Sequence, residues 1–180
     1  FEPLKVGDLV TGELGWQEYA RLSGVQLRKV DPACKPPQAS LGILGPTGIT
    51  AWFLTTEAGK VKAGDTVVVA GAAGSVGSVA VQLCKLAKAR VVGLIGSERQ
   101  AHFVQSELGA DAAVDYRSTN LGSELAAACP SGVDVFLDSV GGALHDTVMG
   151  QIADHARIVV FGYIATYGDA TTRLDYGDMY

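Results

Sequence analysis

The 180-residue chain reads as an α/β protein built on a doubly wound parallel sheet. Three observations carry that reading. Short apolar runs alternate with helix-length segments of about ten residues, the signature of βαβ units. The runs are apolar almost throughout, as strands covered on both faces must be. Glycine turns follow strand after strand, at Gly71 to Gly77, Gly96-Ser97, Gly141-Gly142 and Gly162. Right-handed crossovers put those turns on one edge of the sheet, the edge at which such sheets hold ligands.

Taken in order, Val6 to Gly12, Trp16 to Leu22 and Val25 to Val30 read as short strands, ended by Asp31-Pro32. This β piece is too small to close a core alone. Lys35-Pro36-Pro37 breaks the chain. Gln38 to Leu54 carries Ala, Leu and Ile at helical spacing, interrupted by Gly45-Pro46, and predicts two helices around a kink. Thr66 to Ala70 is a buried strand. Ser78 to Lys88 continues as a helix, with Val76, Val79, Ala80, Leu83 and Leu86 on one face and Gln82, Lys85 and Lys88 on the other. Further strands are predicted over Arg90–Ile95, Ala112–Tyr116, Val133–Asp138 and Arg157–Phe161. Helices are predicted over Gln100–Leu108, Thr119–Cys129 and Ala143–Ile152. Counting strands from Thr66, the expected spatial order is 3-2-1-4-5, all parallel. Ala165 to Tyr180 is polar and turn-rich and reads as a loop.

The stretch that organises the chain is Thr66 to Gly77, TVVVAGAAGSVG. A glycine turn directly after a strand, opening a helix, lets the backbone approach a ligand and offers free N–H groups to a phosphate. Ala72 stands where the first glycine of G-x-G-x-x-G belongs, so the match is A-x-G-x-x-G. A ligand-free turn explains the same residues, but more glycines stand here than a bare turn needs.

Composition narrows the rest. Apolar residues make up 48% of the chain, enough for a core, and the net charge of −5 gives no basic footprint for nucleic acid. No apolar run reaches the roughly 18 residues of a membrane span. Phe1-Glu2-Pro3 is neither an initiator nor a signal peptide, and the chain opens as if cut from a longer one. Cys34, Cys84 and Cys129 are far apart and form no metal-ligand pattern, so no zinc is expected. Free thiols point to a reducing compartment, the cytoplasm. His102, His145 and His155 fall within or beside helical segments and read as surface or satisfied residues. Asp138 reads as the cap of the turn after its strand, Asp65 as a turn residue, and Trp16 as a packing or substrate-side residue.

Several stretches together resemble a known family. They are Leu44-Gly45-Pro46-Thr47-Gly48-Ile49-Thr50-Ala51-Trp52-Phe53, Ala72 to Ser78, Val91-Val92-Gly93 with Gly96-Ser97, Phe136 to Gly142, and Gly162 to Tyr167. They resemble the zinc-independent medium-chain dehydrogenases/reductases, in the prostaglandin reductase (leukotriene dehydrogenase, alkenal double-bond reductase) branch. The resemblance implies that residues 1–36 are the remnant of a GroES-like catalytic β domain. Residues 37–180 would then be a Rossmann-like nucleotide-binding domain, incomplete at its C-terminus. It implies NADPH-dependent reduction of an α,β-unsaturated aldehyde or ketone, with hydride delivered to the β-carbon and the enolate protonated, without metal. The partners would be a small-molecule enal or enone and, at full length, a second copy in a homodimer. As an internal fragment the chain itself would be inactive, and its catalytic residue is not assigned. The alternatives are an NADPH quinone reductase of the same superfamily and a non-catalytic nucleotide-binding module.

Carried over by motif, Gly74, Ser75, Val76 and Gly77 would hold the pyrophosphate, and Thr50 would be a further cofactor contact. Ser139, Phe161, Gly162, Tyr163 and Tyr167 would border the nicotinamide half. Ser97, Arg99 and Tyr116 would face the adenosine phosphate. The sequence favours NADP over NAD on physical grounds. No Asp or Glu ends the Arg90–Ile95 strand, so nothing there would repel a 2′-phosphate, and Arg99 can supply a charged contact. Two positions depart from the family pattern: Ser139 replaces its usual asparagine, and the lysine usual near Gln100 is absent.

Overall fold

The computed structural model of the chain describes residues 3–166. The chain forms two compact units, Phe1–Ile49 and Thr50–Tyr180.

In the first unit β1 (Val10–Thr11) pairs antiparallel with β2 (Arg28–Lys29), Val10 opposite Lys29. The three strands expected here shrink to these two rungs. Trp16 to Leu22 forms no strand, and Trp16 and Tyr19 are exposed. Val25 lies in a 3-10 turn, Gly24–Gln26. Ser23 heads that turn, and its N–H donates to Gln26 Oε1 at 3.2 Å, a reciprocal cap that outcompetes strand pairing. The first of the two expected helices is a 3-10 segment, Pro37–Leu41. The second, α1, runs over Pro46–Phe53 with proline at its first position, where the missing N–H costs nothing. It widens into a π turn over Leu54–Ala58, closed by Gly59 N donating to Leu54 O at 2.8 Å.

The second unit holds a five-stranded parallel sheet of β3 (Thr66–Ala70), β4 (Arg90–Ile95), β5 (Ala112–Asp115), β6 (Val133–Asp138) and β7 (Ile152–Val160). Its order is β5-β4-β3-β6-β7, the order the sequence predicts. The helices α2 (Ser75–Leu86), α3 (Glu98–His102), α4 (Leu121–Ala128) and α5 (Gly142–Met149) lie between the strands in sequence. Alternate residues of each strand serve opposite faces. Val67, Val69, Val91, Val135 and Leu137 pack with Ala80, Val81 and Cys84 of α2. Val68, Ala70, Val92, Leu94 and Phe136 pack with Leu125 of α4 and Val148 of α5. Every residue of β3 is buried, which explains its unbroken apolar run.

Two expectations fail at the far edge. The helix predicted over Ala143–Ile152 stops at Met149, capped by Gly150, and Ile152 opens β7. His155 therefore lies in a strand, with φ of 62°, not beside a helix. Pairing with β6 decides this: Val133 faces Ile152 and Val135 faces Arg157, so β7 bulges between those rungs and His155 takes up the extra length. The helix predicted over Gln100–Leu108 starts two residues earlier as α3 and loosens into a π turn, Phe103–Glu107.

Long-range polar contacts fix the amino edge of the sheet. Arg157 Nη2 lies 2.7 Å from Asp65 Oδ2, and its Nη1 donates to Lys60 O at 3.1 Å. Thr66 N donates to Asp134 Oδ2 at 2.8 Å. Asp65 is thus more than a turn residue, although it also accepts from Lys62 N. Lys85 binds Asp111 at 2.7 Å, and Val91 N donates to the same carboxylate. Burial works against the Asp111 charge, but the Lys85 ammonium and the Val91 amide outweigh it and hold the carboxyl below its usual range. Burial raises the Cys84 thiol to about 12, with help from the Asp65 charge, and the Cys129 thiol to about 11. Among the described residues no helix is long and apolar enough to cross a membrane.

Candidate functional site

The strand order reverses between β3 and β6, and a crevice for a ligand opens at the carboxyl ends of such a pair. β3 leaves the sheet through Gly71, whose φ of 64° few other residues would tolerate. Ala72 is fully buried, and its N–H donates to Leu94 O at 3.2 Å, so the turn is anchored on β4. Gly74 N returns to Gly71 O at 2.8 Å. Gly74 is the N-cap of α2, in extended conformation and with no side chain to cap it. The first N–H groups of α2, from Ser75 to Gly77, have no partner within the helix. Gly77 seats the helix tightly on this turn, since a Cβ there would lie 2.9 Å from the Gly71 carbonyl carbon and 3.0 Å from Ala72 Cα. An uncapped helix N-terminus behind a tight turn at a strand-order reversal fits a dinucleotide pyrophosphate.

On the β6 side, Ser139 Oγ donates to Ala70 O at 3.1 Å and ties the two strand ends together. Asp138 is fully buried. Its Oδ1 accepts from Val140 N at 2.8 Å and Gly141 N at 3.0 Å, and its Oδ2 lies 2.7 Å from His145 Nδ1. The His145 ring also lies 5.8 Å from Phe136, centroid to centroid. Asp138 is therefore the expected cap, and His145 is a satisfied helix residue. The chain after β7 lies along the same turn: Phe161 N donates to Asp138 O, Ile164 N to Ser139 O and Ala165 N to Val140 O, at 2.8, 3.2 and 3.0 Å. Gly162 allows that approach, because a Cβ there would stand 2.9 Å from Ser139 O. Phe161 packs half-buried against the core, while Tyr163 is exposed.

At the tip of β4, Ser97 caps α3 by accepting from Gln100 N at 3.3 Å, and Gln100 Oε1 accepts from Gly96 N at 2.8 Å. Tyr116 covers Gly96 so closely that a Cβ there would meet its hydroxyl at 2.6 Å. Arg99 is exposed and has no ion pair among the described residues. The structure also shows a cation that the sequence reading passed over. Arg117 follows Tyr116 and binds Asp115 through Nε at 3.0 Å and Nη2 at 2.8 Å. That pairing holds the Asp115 carboxyl down at about 2. An acid and a base two residues apart at a strand tip, Asp-Tyr-Arg, was the available signal.

The sheet edge thus brings together Gly74 to Gly77 with Ser139 and Gly162 at the reversal, and Ser97 with Tyr116 one strand further out. Thr50 lies half-buried in α1, and its side chain makes no hydrogen bond among the described residues. Tyr167 lies outside the described residues. A hollow of about 910 Å3 in the first unit, lined by Thr11, Gln26, Arg28 and Ser40 among others, includes none of the expected cofactor contacts.

Comparison with known proteins agrees with this geometry. Residues 75–178, starting at the first residue of α2, match the zinc-binding dehydrogenase family. The chain is 45% identical over 175 residues to a Bacillus subtilis (strain 168) protein provisionally named as the NADP-dependent oxidoreductase YfmJ, covering 97% of this chain and 52% of that protein. It is 38% identical over 166 residues to prostaglandin reductase 1 of Oryctolagus cuniculus, covering 90% and 47%. The crystal structure of CurA in complex with NADPH from Vibrio vulnificus superposes with a TM-score of 0.77 at 34% identity, over 82% of this chain and 44% of that one. The chain spans about half the length of the relatives it matches. With this sheet order, this glycine turn and these relatives, the chain belongs to the zinc-binding dehydrogenase family, in the zinc-independent, prostaglandin reductase-like branch of the medium-chain dehydrogenases/reductases.

Proposed function

We propose that the chain is the nucleotide-binding part of an NADPH-dependent reductase that saturates the C=C bond of α,β-unsaturated aldehydes or ketones. The observation that carries the reading is the uncapped N-terminus of α2, packed on the Gly71–Gly77 turn where the strand order reverses. Its free amides and partial positive charge bind the pyrophosphate. Gly71 and Gly77 let turn and helix close up behind it. Ser139, Phe161, Gly162 and Tyr163 border the nicotinamide half, and Thr50 adds a contact. The hydrogen bonds from Ile164 and Ala165 to the Ser139-Val140 carbonyls hold that wall to the turn. Ser97, Arg99 and Tyr116 face the 2′-phosphate, beyond the tip of β4, which itself ends in no carboxylate. NADPH, when bound, supplies the hydride for the β-carbon of the substrate. The chain's part is to hold the ring at a fixed distance from the substrate and to keep water from it.

The relatives' names support reductase chemistry with NADPH, and the prostaglandin reductase resemblance supports the enone class. The test is turnover by the full-length protein. NADPH loss that depends on an enone, with a product saturated between Cα and Cβ, is the expected result. Turnover with simple quinones but not with enones would assign a quinone reductase instead. Dinucleotide binding without turnover of either would leave a nucleotide-binding module.

A further inference from the structure

We propose that Arg117, oriented by Asp115, is a determinant of the preference for a 2′-phosphorylated dinucleotide. The inference rests on the NADPH reading above and adds a residue to it. Ile95 and Asp115 face each other on the last rung between β4 and β5. One step further, Gly96 and Tyr116 are in contact, the tyrosine hydroxyl lying where a Cβ on residue 96 would be. Arg117 follows in the turn that ends β5, closed by Ser118 N donating to Asp115 O at 3.0 Å. It thus stands at the strand tip that faces the adenosine ribose in a dinucleotide fold.

The pair itself shows how Arg117 is aimed. Asp115 takes Nε and Nη2 at 3.0 and 2.8 Å, and its Oδ1 also accepts from Arg117 N at 2.9 Å. That uses one edge of the guanidinium. Nη1, with both its protons, has no partner among the described residues, so the outer edge can bind phosphate oxygens while Asp115 keeps the inner one. The Arg117 side chain is 59% exposed, and an exposed pair of this kind adds little to the fold. What the pair does is orient a charge.

Its neighbours point the same way. Left alone, Asp115 would put a carboxylate at a strand tip beside the ribose and repel a phosphate. Arg117 cancels that charge. Gln100, near which the family usually has a lysine, spends its side chain on Gly96 N and carries no charge. Arg99 is exposed in α3, and no partner among the described residues orients it.

The full-length protein and its Arg117→Ala and Arg99→Ala variants are titrated with NADPH, NADH and 2′,5′-ADP. Loss of one charge-assisted contact predicts that Arg117→Ala weakens NADPH and 2′,5′-ADP by about tenfold or more and leaves NADH within about twofold. The NADH arm shows that the variant still folds and binds. An unchanged NADPH-to-NADH ratio in Arg117→Ala, or an equal loss of both cofactors, overturns the inference. So does a ratio that collapses in Arg99→Ala alone. A parent protein that binds no dinucleotide overturns the NADPH reading itself.

Discussion

Replacing Gly77 by alanine tests whether the tight seating of α2 is what aims its amides. A Cβ there would overlap the Gly71 carbonyl oxygen and lie 2.9 Å from its carbon, 0.5 Å short of the 3.4 Å at which ordinary contact begins. The opposing atoms belong to backbone, so no side chain can swing aside and the helix must retreat. Overpacking of this kind costs about 1–3 kcal/mol, and alanine's better helix propensity returns at most about 1 kcal/mol. Each net kcal/mol lowers the melting temperature by about 2–4 °C in a chain of this size. Binding suffers more. Displacing the Ser75–Gly77 amides from a phosphate removes about one charge-assisted hydrogen bond, roughly 1.5–3 kcal/mol, or about tenfold to a hundredfold in Kd. Gly74→Ala is the internal control. Its Cβ would stand 3.1 Å from the same oxygen, at a φ of −78° that alanine accepts. The assay is NADPH titration by fluorescence alongside thermal unfolding of the full-length protein, and Gly77→Ala should be the worse variant in both. Gly77→Ala that binds NADPH within about twofold of the parent, with an unchanged melting temperature, would refute the reasoning.

Asp138→Ala takes a buried acceptor away from the Val140 and Gly141 amides, at about 1–3 kcal/mol for each donor left unsatisfied, read by denaturant unfolding; Asp138→Asn, which keeps an acceptor, should cost less. Asp111 has a depressed folded pKa, so its contribution is fully present above the unfolded value of 3.8 and is lost as pH falls through the folded value. Stability should hold at neutral pH and decline in acid, and Asp111→Asn should flatten that decline; an unaltered acid limb in the variant would contradict the assignment. Of the three thiols, Cys34 should react first with an aromatic disulfide reagent, since burial raises Cys84 to about 12 and Cys129 to about 11. Labelling of Cys84 or Cys129 in the folded protein would speak against that packing.

The sheet was readable from sequence because its strands are covered on both faces and its turns need glycine. Val67 to Val69 carry their burial in their own composition, and Gly71 and Gly77 their geometry. What stayed hidden depended on partners far along the chain. Asp65 looks like a turn residue until Arg157 arrives beside it. Asp134 shows nothing locally of its bond to Thr66. Ile152 and His155 follow a helical spacing that pairing with β6 overrides. In the first unit, Trp16 and Tyr19 have strand-like composition, but their segment pairs with no strand among the described residues. At the candidate site, the pyrophosphate turn was legible because it is a local motif. Arg117 was not legible because its aim depends on its pairing with Asp115, whereas Arg99 stands in α3, directly after the strand whose tip carries the motif.

The place of β3 at the centre of the sheet also sets when the sheet can be finished. β4 reaches β3 after a single crossover helix, with Thr66 opposite Arg90. Its other flank waits for β6, where Val67 pairs with Val135, after two more helices and another strand have been made. A nascent chain therefore holds its most apolar strand with one side open while much of the unit is still in the ribosome. Parallel pairing over such separations is slow, and an unpaired apolar strand invites association with other chains.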